Sequence, residues 1–323
     1  MESPALLSNS PSFKTTSAVA GHLGYLDGLR ALAALYVFFH HTLQQVDGNP
    51  ANHPKSLMLL EGLRFGRYAV DLFIVLSGFC LMLPVVKHGG ELRGGALKFF
   101  KRRALCILPP YYCAMALSLL LDWSLIGRAT YTQWDASLPV TAKSIFWHLL
   151  LLQDAAGEQY SISSPFWSIA VEWRIYFLFP LLVLLWRRIG PFATTALSVV
   201  VGLVLCVVAK KIFDNTLTAV YIGLFALGML AATLRFSPLE KLGRWRSQRW
   251  GAWCIALTGT LAALSLFAFR REYPTSLIIP YDVVVGVWAL TLLMWVSGEN
   301  NWGYKLLSWP PLVWIGTFAY SIY

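Results

Sequence analysis

The 323-residue sequence has few charged residues: Lys, Arg, Asp and Glu make up 13% of it, whereas 57% of the chain is hydrophobic. Its mean hydropathy is +0.58. A chain with so few charges cannot bury its apolar surface inside one soluble globule. Composition therefore predicts an all-α, polytopic transmembrane helical bundle.

Cysteine is also scarce, and its positions lack the spacing of a metal site. The five cysteines are Cys80, Cys106, Cys113, Cys206 and Cys254. All five lie inside or at the edge of apolar segments, so we expect small buried apolar residues and no metal.

Residues 1–22 lack a run of apolar residues and are rich in Ser, Thr, Ala and Pro. They predict a flexible tail and not a cleaved signal peptide, so we expect the membrane-embedded domain to occupy residues 23–323. Basic residues exceed acidic ones, 26 to 16, but they concentrate in short loops beside hydrophobic segments. This pattern is typical of helix orientation in a bilayer and does not indicate a nucleic-acid partner.

Nine apolar segments are long enough, or nearly so, for a membrane crossing of about 20 residues. They cover residues 24–43, 68–86, 104–122, 166–186, 189–209, 218–234, 251–269, 277–297 and 309–323. The ninth stops after fifteen residues with no polar flank, so we expect its helix to be truncated. A further piece, Ser144 to Leu152, is too short to cross and predicts a re-entrant or interfacial helix.

Three strongly basic loops orient these helices. They contain Lys87 to Arg103, Arg187-Arg188 and Arg235 to Arg249. Positive residues favour the cytoplasmic side, so the first helix is expected to run outwards in the cell membrane from a cytoplasmic N-terminus. This scheme places Lys210-Lys211 and Arg270-Arg271 on the outer side of the membrane, which the positive-inside rule disfavours.

Arg30 and His41 stand eleven residues apart within one apolar segment. Eleven residues make about three helical turns, so the two side chains share a helix face about 16 Å apart, and His40 points about 80° away. Ionisable groups at membrane depth are costly and usually face a cavity lined by protein, which makes this pair a candidate site. The alternative is that both lie near helix ends and reach the lipid headgroups.

The predicted orientation sorts the polar residues into two layers. An inner layer of guanidinium groups suits a phosphate-rich cytosolic ligand, although these groups could instead contact lipid headgroups or, for Arg30, pair with Asp27. An outer layer of imidazole and carboxylates suits removal of a proton from a hydroxyl. The inner layer contains Asp27, Arg30, Lys98, Lys101, Arg102 and Arg103, and the outer layer contains His41, Asp71, Ser168 and Glu172.

Four motifs, spread from the first helix to about residue 180, carry a resemblance. They are Tyr25 to Arg30 with His41, Val70 to Phe79, Phe99 to Arg103 with Ile107 to Pro110, and Phe166 to Glu172 with Tyr176 and Pro180. In this order they resemble the membrane acyltransferase-3 family, and Ile315 to Tyr323 weakly resembles another part of it.

The resemblance implies an integral-membrane enzyme that takes an acyl group, often acetyl, from cytoplasmic acyl-CoA. Its acceptor is a hydroxyl on the other side of the membrane, commonly on a cell-surface carbohydrate. The family's functional arginine and histidine correspond to Arg30 and His41, and its motif carboxylate corresponds to Glu172. We accordingly assign His41, Glu172 and Asp71 to catalysis, Arg30, Arg102 and Arg103 to acyl-CoA, and Ser168 and Trp167 to the acceptor.

Two positions depart from the family pattern. Cys106 stands where the family commonly has a second arginine, three residues after Arg103. Trp173-Arg174 stands where the family commonly has Glu-Gln. Arg174 lies about 200° around the helix from Glu172, so we do not expect the two to pair, and the sequence offers no account of Arg174.

Two other function classes stay open at the level of sequence. A transporter or flippase for a glycan or lipid precursor also places charged residues inside a helical bundle. Such transporters often have repeated halves, and the Arg30-to-His41 and Trp167-to-Glu172 patterns each occur once. A catalytically idle membrane partner or sensor is the third class, favoured by Cys106. Transfer of labelled acetyl groups by purified protein separates an enzyme from both.

Overall fold

The computed structural model describes residues 23–46, 63, 65–125, 135, 137–213, 218–270, 278–298 and 301–319. Throughout these residues the regular elements are helices, as composition predicts. The predicted tail, 1–22, and the end of the ninth apolar segment, 320–323, lie outside the described residues.

The helices follow the apolar segments of the sequence. In chain order they are α1 (Gly24–Val46), α2 (Gly66–Lys87), α3 (Gly95–Leu125), α4 (Ala142–Leu149), α5 (Phe166–Ile189), α6 (Pro191–Phe213), α7 (Val220–Phe236), α8 (Gly243–Arg246), α9 (Trp250–Arg270), α10 (Ile278–Val296), α11 (Trp302–Leu307) and α12 (Pro310–Thr317). Each of the nine predicted segments coincides with one of these helices. The short helix predicted near Ser144 is α4, which ends at Leu149 and continues in turns up to the start of α5.

Several helices are built to cross a membrane, which makes this a multi-pass membrane protein. By length and apolar composition, five helices of the described part qualify: α2, α3, α5, α6 and α10. α7 adds a sixth if it is counted with α8, to which it is bent by 111°. Exposed apolar side chains along α6, such as Val200, Val204 and Val207, suit contact with lipid tails. The finer count of nine crossings stays a prediction.

The centre of the bundle is the packing of α2 against α7. Both helices are buried along most of their length because they are apolar around the whole circumference. Glycines allow their backbones to touch: a Cβ added to Gly78 would lie 2.1 Å from the Phe225 carbonyl oxygen, and one added to Gly228 would lie 1.9 Å from that of Val75. α6 and α10 pack around α7, and α9 packs on α10.

α3 begins earlier than the apolar pattern predicts. The basic residues before position 104 were expected in a loop, but α3 starts at Gly95. Both Gly94, just before the helix, and Gly95, its first residue, have a positive φ. Aromatic packing explains the difference, because Phe99 contacts Phe179 and Tyr176 of α5 at ring-centroid distances of 5.1 and 6.2 Å. The basic residues therefore have fixed directions around a helix.

α12 packs on α1 and positions its polar residues. A Cβ on Gly316 would lie 2.1 Å from the Asp27 carbonyl oxygen. α11 adds a second close contact, because a Cβ on Gly28 would lie 1.8 Å from the carbonyl oxygen of Leu307. α1, which carries Arg30, is thus held in place by α11 and α12, the last two helices of the described chain.

Candidate active site

A cavity of about 410 Å³ lies among α1, α2, α3, α5 and α12. α2 lines it with residues that recur at helical spacing along one face. α5 lines it with Ser168, Glu172 and Tyr176, which are four residues apart and share a face. The side chains able to carry charge or donate hydrogen bonds are Asp27, Arg30, Ser77, Cys80, Arg103, Cys106, Ser168, Glu172, Tyr176 and Thr317.

Arg30 is fixed at one side of this cavity by two partners. Its Nη1 donates to Asp27 Oδ1 at 2.6 Å, and its Nη2 donates to Cys80 Sγ at 2.9 Å. The pairing with Asp27, considered from the sequence, is confirmed. The side chain keeps 32% of its surface exposed, so the guanidinium group can still meet a ligand.

Glu172 ends a short hydrogen-bonded chain at the other side. Tyr176 donates its hydroxyl to Glu172 Oε1, and Ser77 Oγ lies 2.9 Å from the same tyrosine oxygen. Because Tyr176 has one hydroxyl proton and donates it to Glu172, Ser77 must be the donor to Tyr176. The chain orients the carboxylate of Glu172 into the cavity.

Arg103 lies between these two sides. Its guanidinium carbon is 5.7 Å from the centroid of the Tyr176 ring and 5.9 Å from that of Phe99, within cation–π range. Its Nε is buried and has no hydrogen-bond partner among the described residues. A buried donor without an acceptor is costly, so this group is prepared to bind a ligand oxygen.

Four of the predicted site residues meet in this cavity, and four do not. Arg30 and Arg103, assigned to the inner layer, and Ser168 and Glu172, assigned to the outer layer, line one space. Ser168 Oγ also donates to the carbonyl oxygen of Pro165 at 2.9 Å. Among the described residues, His41, Asp71, Arg102 and Trp167 are not part of the lining.

The positions of His41 and Arg102 follow from their helices. His41 lies three turns beyond Arg30 on α1, with its ring centroid 5.1 Å from that of His40. Arg102 is exposed, one residue away from the cavity-facing Arg103 on α3. Successive residues of a helix point about 100° apart, which explains why only one of the two arginines faces inwards.

Asp71 and Trp167 belong to a second charged cluster, built around Arg67 at the start of α2. Arg67 Nη2 and Nε donate to the two carboxylate oxygens of Asp282, with the shortest distance 2.7 Å. Its guanidinium carbon lies 5.8 and 5.6 Å from the ring centroids of Trp167 and Tyr221. Asp71 is fully buried and interacts electrostatically with Arg67 and Asp282.

Arg174 has a clear role in the structure. Its Nη2 binds the carboxylate of Asp154, and the same group lies 3.3 Å from Thr218 Oγ1, which itself donates to Asp154 at 2.7 Å. These contacts attach the turns after α4 to α5 and to the start of α7. Arg174 is a structural cation whose partner lies in a loop.

Sequence reasoning did not single out Arg67, Asp154 and Asp282. It expected all five cysteines to be buried apolar residues, which is wrong for half-buried Cys80 and for exposed Cys106 and Cys113. Asp282 is a lone acid within an apolar segment, a signal that predicts a buried partner or a site. Its partner Arg67 is far away in the chain, so no local spacing could have connected the two.

A comparison with protein-family models supplies the family. Residues 23–323 match the model of the acyltransferase domain. The chain belongs to this acyltransferase family. The resemblance seen in the four motifs is thereby confirmed. A comparison with solved structures found no match to this acyltransferase-family chain.

Relatives of this acyltransferase-family chain agree with that result. YrhL of Bacillus subtilis (strain 168), named provisionally as a peptidoglycan O-acetyltransferase, is 28% identical over 92% of this chain and 47% of its own length. The peptidoglycan O-acetyltransferase OatA of Listeria monocytogenes is 21% identical over 96% of this chain and 50% of its own length. The acyltransferase MdmB of Streptomyces mycarofaciens is 30% identical over 51% of this chain and 40% of its own length. The chain spans about half the length of the first two.

Proposed function

We propose that this protein is an integral-membrane O-acyltransferase, which moves an acyl group, expected to be acetyl, from acyl-CoA to a hydroxyl of a carbohydrate across the membrane. The observation that carries this proposal is a single cavity lined by Arg30 and Arg103 and also by Ser168 and Glu172. Guanidinium groups suit the donor, and a carboxylate suits removal of a proton from the acceptor. Family membership favours transfer over the transport alternative.

The donor is expected to enter with its thioester end first. The cavity volume of about 410 Å³ is in the range of a small-ligand site, roughly 300–1,000 Å³, and suits the thioester and not the whole coenzyme. Arg30 and Arg103 would meet this end. Arg102, exposed beside them on α3, would contact the phosphates of acyl-CoA outside the cavity.

Glu172 is our first candidate for the general base on the acceptor hydroxyl. Tyr176 orients its carboxylate, and Ser168, one turn away on α5, is placed to bind the acceptor in the same cavity. His41 is the second candidate, and it requires the acceptor to reach the other end of α1. In this proposal Trp167 contacts the sugar, whereas Asp71 acts through Arg67 and not on the substrate.

The names of the relatives support one class of acceptor. Two of them are named for peptidoglycan O-acetylation, so we propose an amino-sugar polymer of this kind as the acceptor. The basic loops further support placement in the cell membrane with a cytoplasmic N-terminus, acyl-CoA on the inside and the carbohydrate outside.

The test is transfer of radiolabelled acetyl groups by purified protein in lipid nanodiscs. With acetyl-CoA and a peptidoglycan fragment, we expect alkali-labile label on the sugar. Glu172→Gln should lower the rate by about 10²- to 10⁴-fold, the usual effect of removing a general base. Lys143→Gln is the control, because the Lys143 side chain is 67% exposed and outside the cavity.

The two candidate bases are separated by a second variant. Loss of transfer in His41→Ala together with normal transfer in Glu172→Gln would move the catalytic base to His41. Absence of label on any hydroxyl acceptor with folded wild-type protein would contradict the proposed function itself.

A further inference from the structure

Cys80 lies in the cavity, and the function proposed above gives it no role. It is one turn further along α2 than Ser77, on the same lining face. The Arg30 guanidinium donates a hydrogen bond to its sulfur at 2.9 Å. A guanidinium group beside a cysteine favours the thiolate, which is the nucleophilic form of the residue.

The charged groups that interact with Cys80 come from three neighbouring helices. Burial opposes a negative sulfur most strongly, and Asp27 and Glu172 oppose it too, whereas Arg30 and Arg103 favour it. The resting residue is therefore a thiol that must lose its proton during the attack. Asp27 is already bound to Arg30, so its charge is partly compensated. Glu172 is then the group placed to take the thiol proton as the sulfur attacks.

Arg103 supplies what a thioester carbonyl needs during such an attack. Its buried Nε–H has no acceptor among the described residues, and the Arg103 side chain lines the same cavity as Cys80. A donor in this position stabilises the oxyanion that forms when a nucleophile adds to a carbonyl carbon. This orphaned donor is a second observation that points to a ligand oxygen.

We propose that Cys80 carries the acyl group as a transient thioester, on the way from acyl-CoA to the acceptor. This inference rests on the proposed acyltransferase function and deepens it. It divides one transfer between two large substrates into two transfers at one sulfur. The donor and the acceptor then never need to occupy the cavity together.

Both steps balance without any further reactant. In the first, Cys80 Sγ bonds to the thioester carbonyl carbon, the thiol proton passes to Glu172, and the bond to the coenzyme A sulfur breaks. The departing thiolate takes that proton and leaves as coenzyme A. In the second, the acceptor oxygen bonds to the same carbon, its proton passes through Glu172, and Cys80 is released as the thiol.

Cys113 provides a matched control. It is an exposed cysteine on α3 and is not part of the cavity lining. Cys113→Ser should therefore keep both acylation and transfer close to the wild-type level, which acylation of any accessible thiol would not allow.

The experiment follows labelled acetyl groups on the protein in nanodiscs without acceptor. We expect an acetyl group on the Cys80 peptide by mass spectrometry, released by neutral hydroxylamine and passed to a peptidoglycan fragment when this is added. Cys113→Ser should retain the label. Cys80→Ala should lose it and transfer at least about 10³-fold more slowly, as expected on removal of a covalent nucleophile.

An exchange measurement makes the test independent of any variant's folding. With a Cys80 thioester, wild-type protein without acceptor should exchange radiolabelled coenzyme A into acetyl-CoA. No exchange, acetyl label on His41 or Glu172, or wild-type transfer by Cys80→Ala would overturn the role of Cys80 and leave the acyltransferase function standing. Failure of wild-type protein to acetylate any acceptor would instead contradict that function.

Discussion

Single residues in this protein divide into those that face the cavity and those that hold the bundle together. Glu172 and Arg174 illustrate the division, since they are two residues apart on α5 and belong to different groups. Glu172 lines the cavity, whereas Arg174 binds Asp154 in the turns after α4. Their opposite directions follow from helical geometry alone.

Arg174→Gln should destabilise the protein without changing the cavity chemistry. The side chains of Arg174 and Asp154 are 27% and 5% exposed, so the pair is intermediate between a surface and a buried ion pair. We expect a loss of about 2–3 kcal/mol in the free energy of unfolding, because the buried carboxylate of Asp154 would lose its cation. Thermal unfolding in detergent checks this.

The control is the ion pair of exposed Lys143 with partly buried Glu158. Lys143→Gln should cost at most about 1 kcal/mol. Adding Asp154→Asn to Arg174→Gln should recover part of the lost stability, since the buried charge is removed. A double variant that is less stable than either single variant would contradict the ion-pair account.

At the scale of helices, the close contact of α2 with α7 depends on glycine. Gly228→Ala would place a Cβ 1.9 Å from the Val75 carbonyl oxygen, a backbone atom that cannot turn away. We expect the two helices to separate and the unfolding temperature to fall, with loss of transfer activity because α2 carries part of the cavity. Gly259→Ala on α9 is the control.

Gly259 has open space around it, since a Cβ there meets no atom within 4 Å. Alanine favours helix over glycine by about 1 kcal/mol, so this substitution should be neutral or stabilising. Equal loss of stability in both alanine variants would contradict the backbone-contact account of Gly228, because Gly259 has no such contact.

The α4 region should respond to pH. Hydrogen bonding from Lys143 holds the pKa of Glu158 below its usual range, and burial lowers the pKa of His148. In both cases the folded state binds fewer protons than the unfolded state, so stability is lost as the pH falls. The loss begins near the pKa of the unfolded side chain, which is about 6.5 for histidine and about 4.3 for glutamate.

Hydrogen exchange of residues 142–165 measures this effect. After correction for the intrinsic exchange rate, we expect faster opening as the pH falls from about 7 to about 5, because an ordinary, solvated imidazole in the opened state gains a proton there. His148→Gln should flatten the dependence in this range. Opening that slows on acidification would contradict the assignment.

Much of the fold was predictable because long apolar runs leave few alternatives to helices. The limits appear where packing decides: α3 begins at Gly95 and not near residue 104, because Phe99 packs on α5. In the candidate site, Arg30, Arg103, Ser168 and Glu172 were predicted and meet in the cavity. The pairs Arg67 with Asp282 and Arg174 with Asp154 were not predictable, since their partners are joined only by tertiary packing.

For the whole molecule, the basic loops predict the direction of the bundle in the membrane. The predicted scheme places the turn between α2 and α3 in the cytoplasm and the turns after α4 outside. In a background lacking exposed Cys106 and Cys113, Tyr160→Cys should react with an impermeant thiol reagent on intact cells. Glu91→Cys should react only after permeabilisation.

Glu240→Cys, in the basic region after α7, serves as the second inside position and should behave as Glu91→Cys does. Reaction of both inside positions on intact cells would reverse the predicted direction. Tyr160 and Glu240 are exposed, as is the Glu91 side chain, so accessibility within the protein does not limit the reaction.

The packing of α12 on α1 also has a consequence for biosynthesis. Gly316 and Thr317 form part of the cavity wall beside Asp27, so the wall is incomplete until α12 has been inserted. A ribosome adds roughly 5–20 residues per second, and α12 therefore emerges tens of seconds after α1. During that interval the nascent chain already contains Arg30, but the cavity that Arg30 lines is not yet complete. Unfinished chains should consequently lack transferase activity.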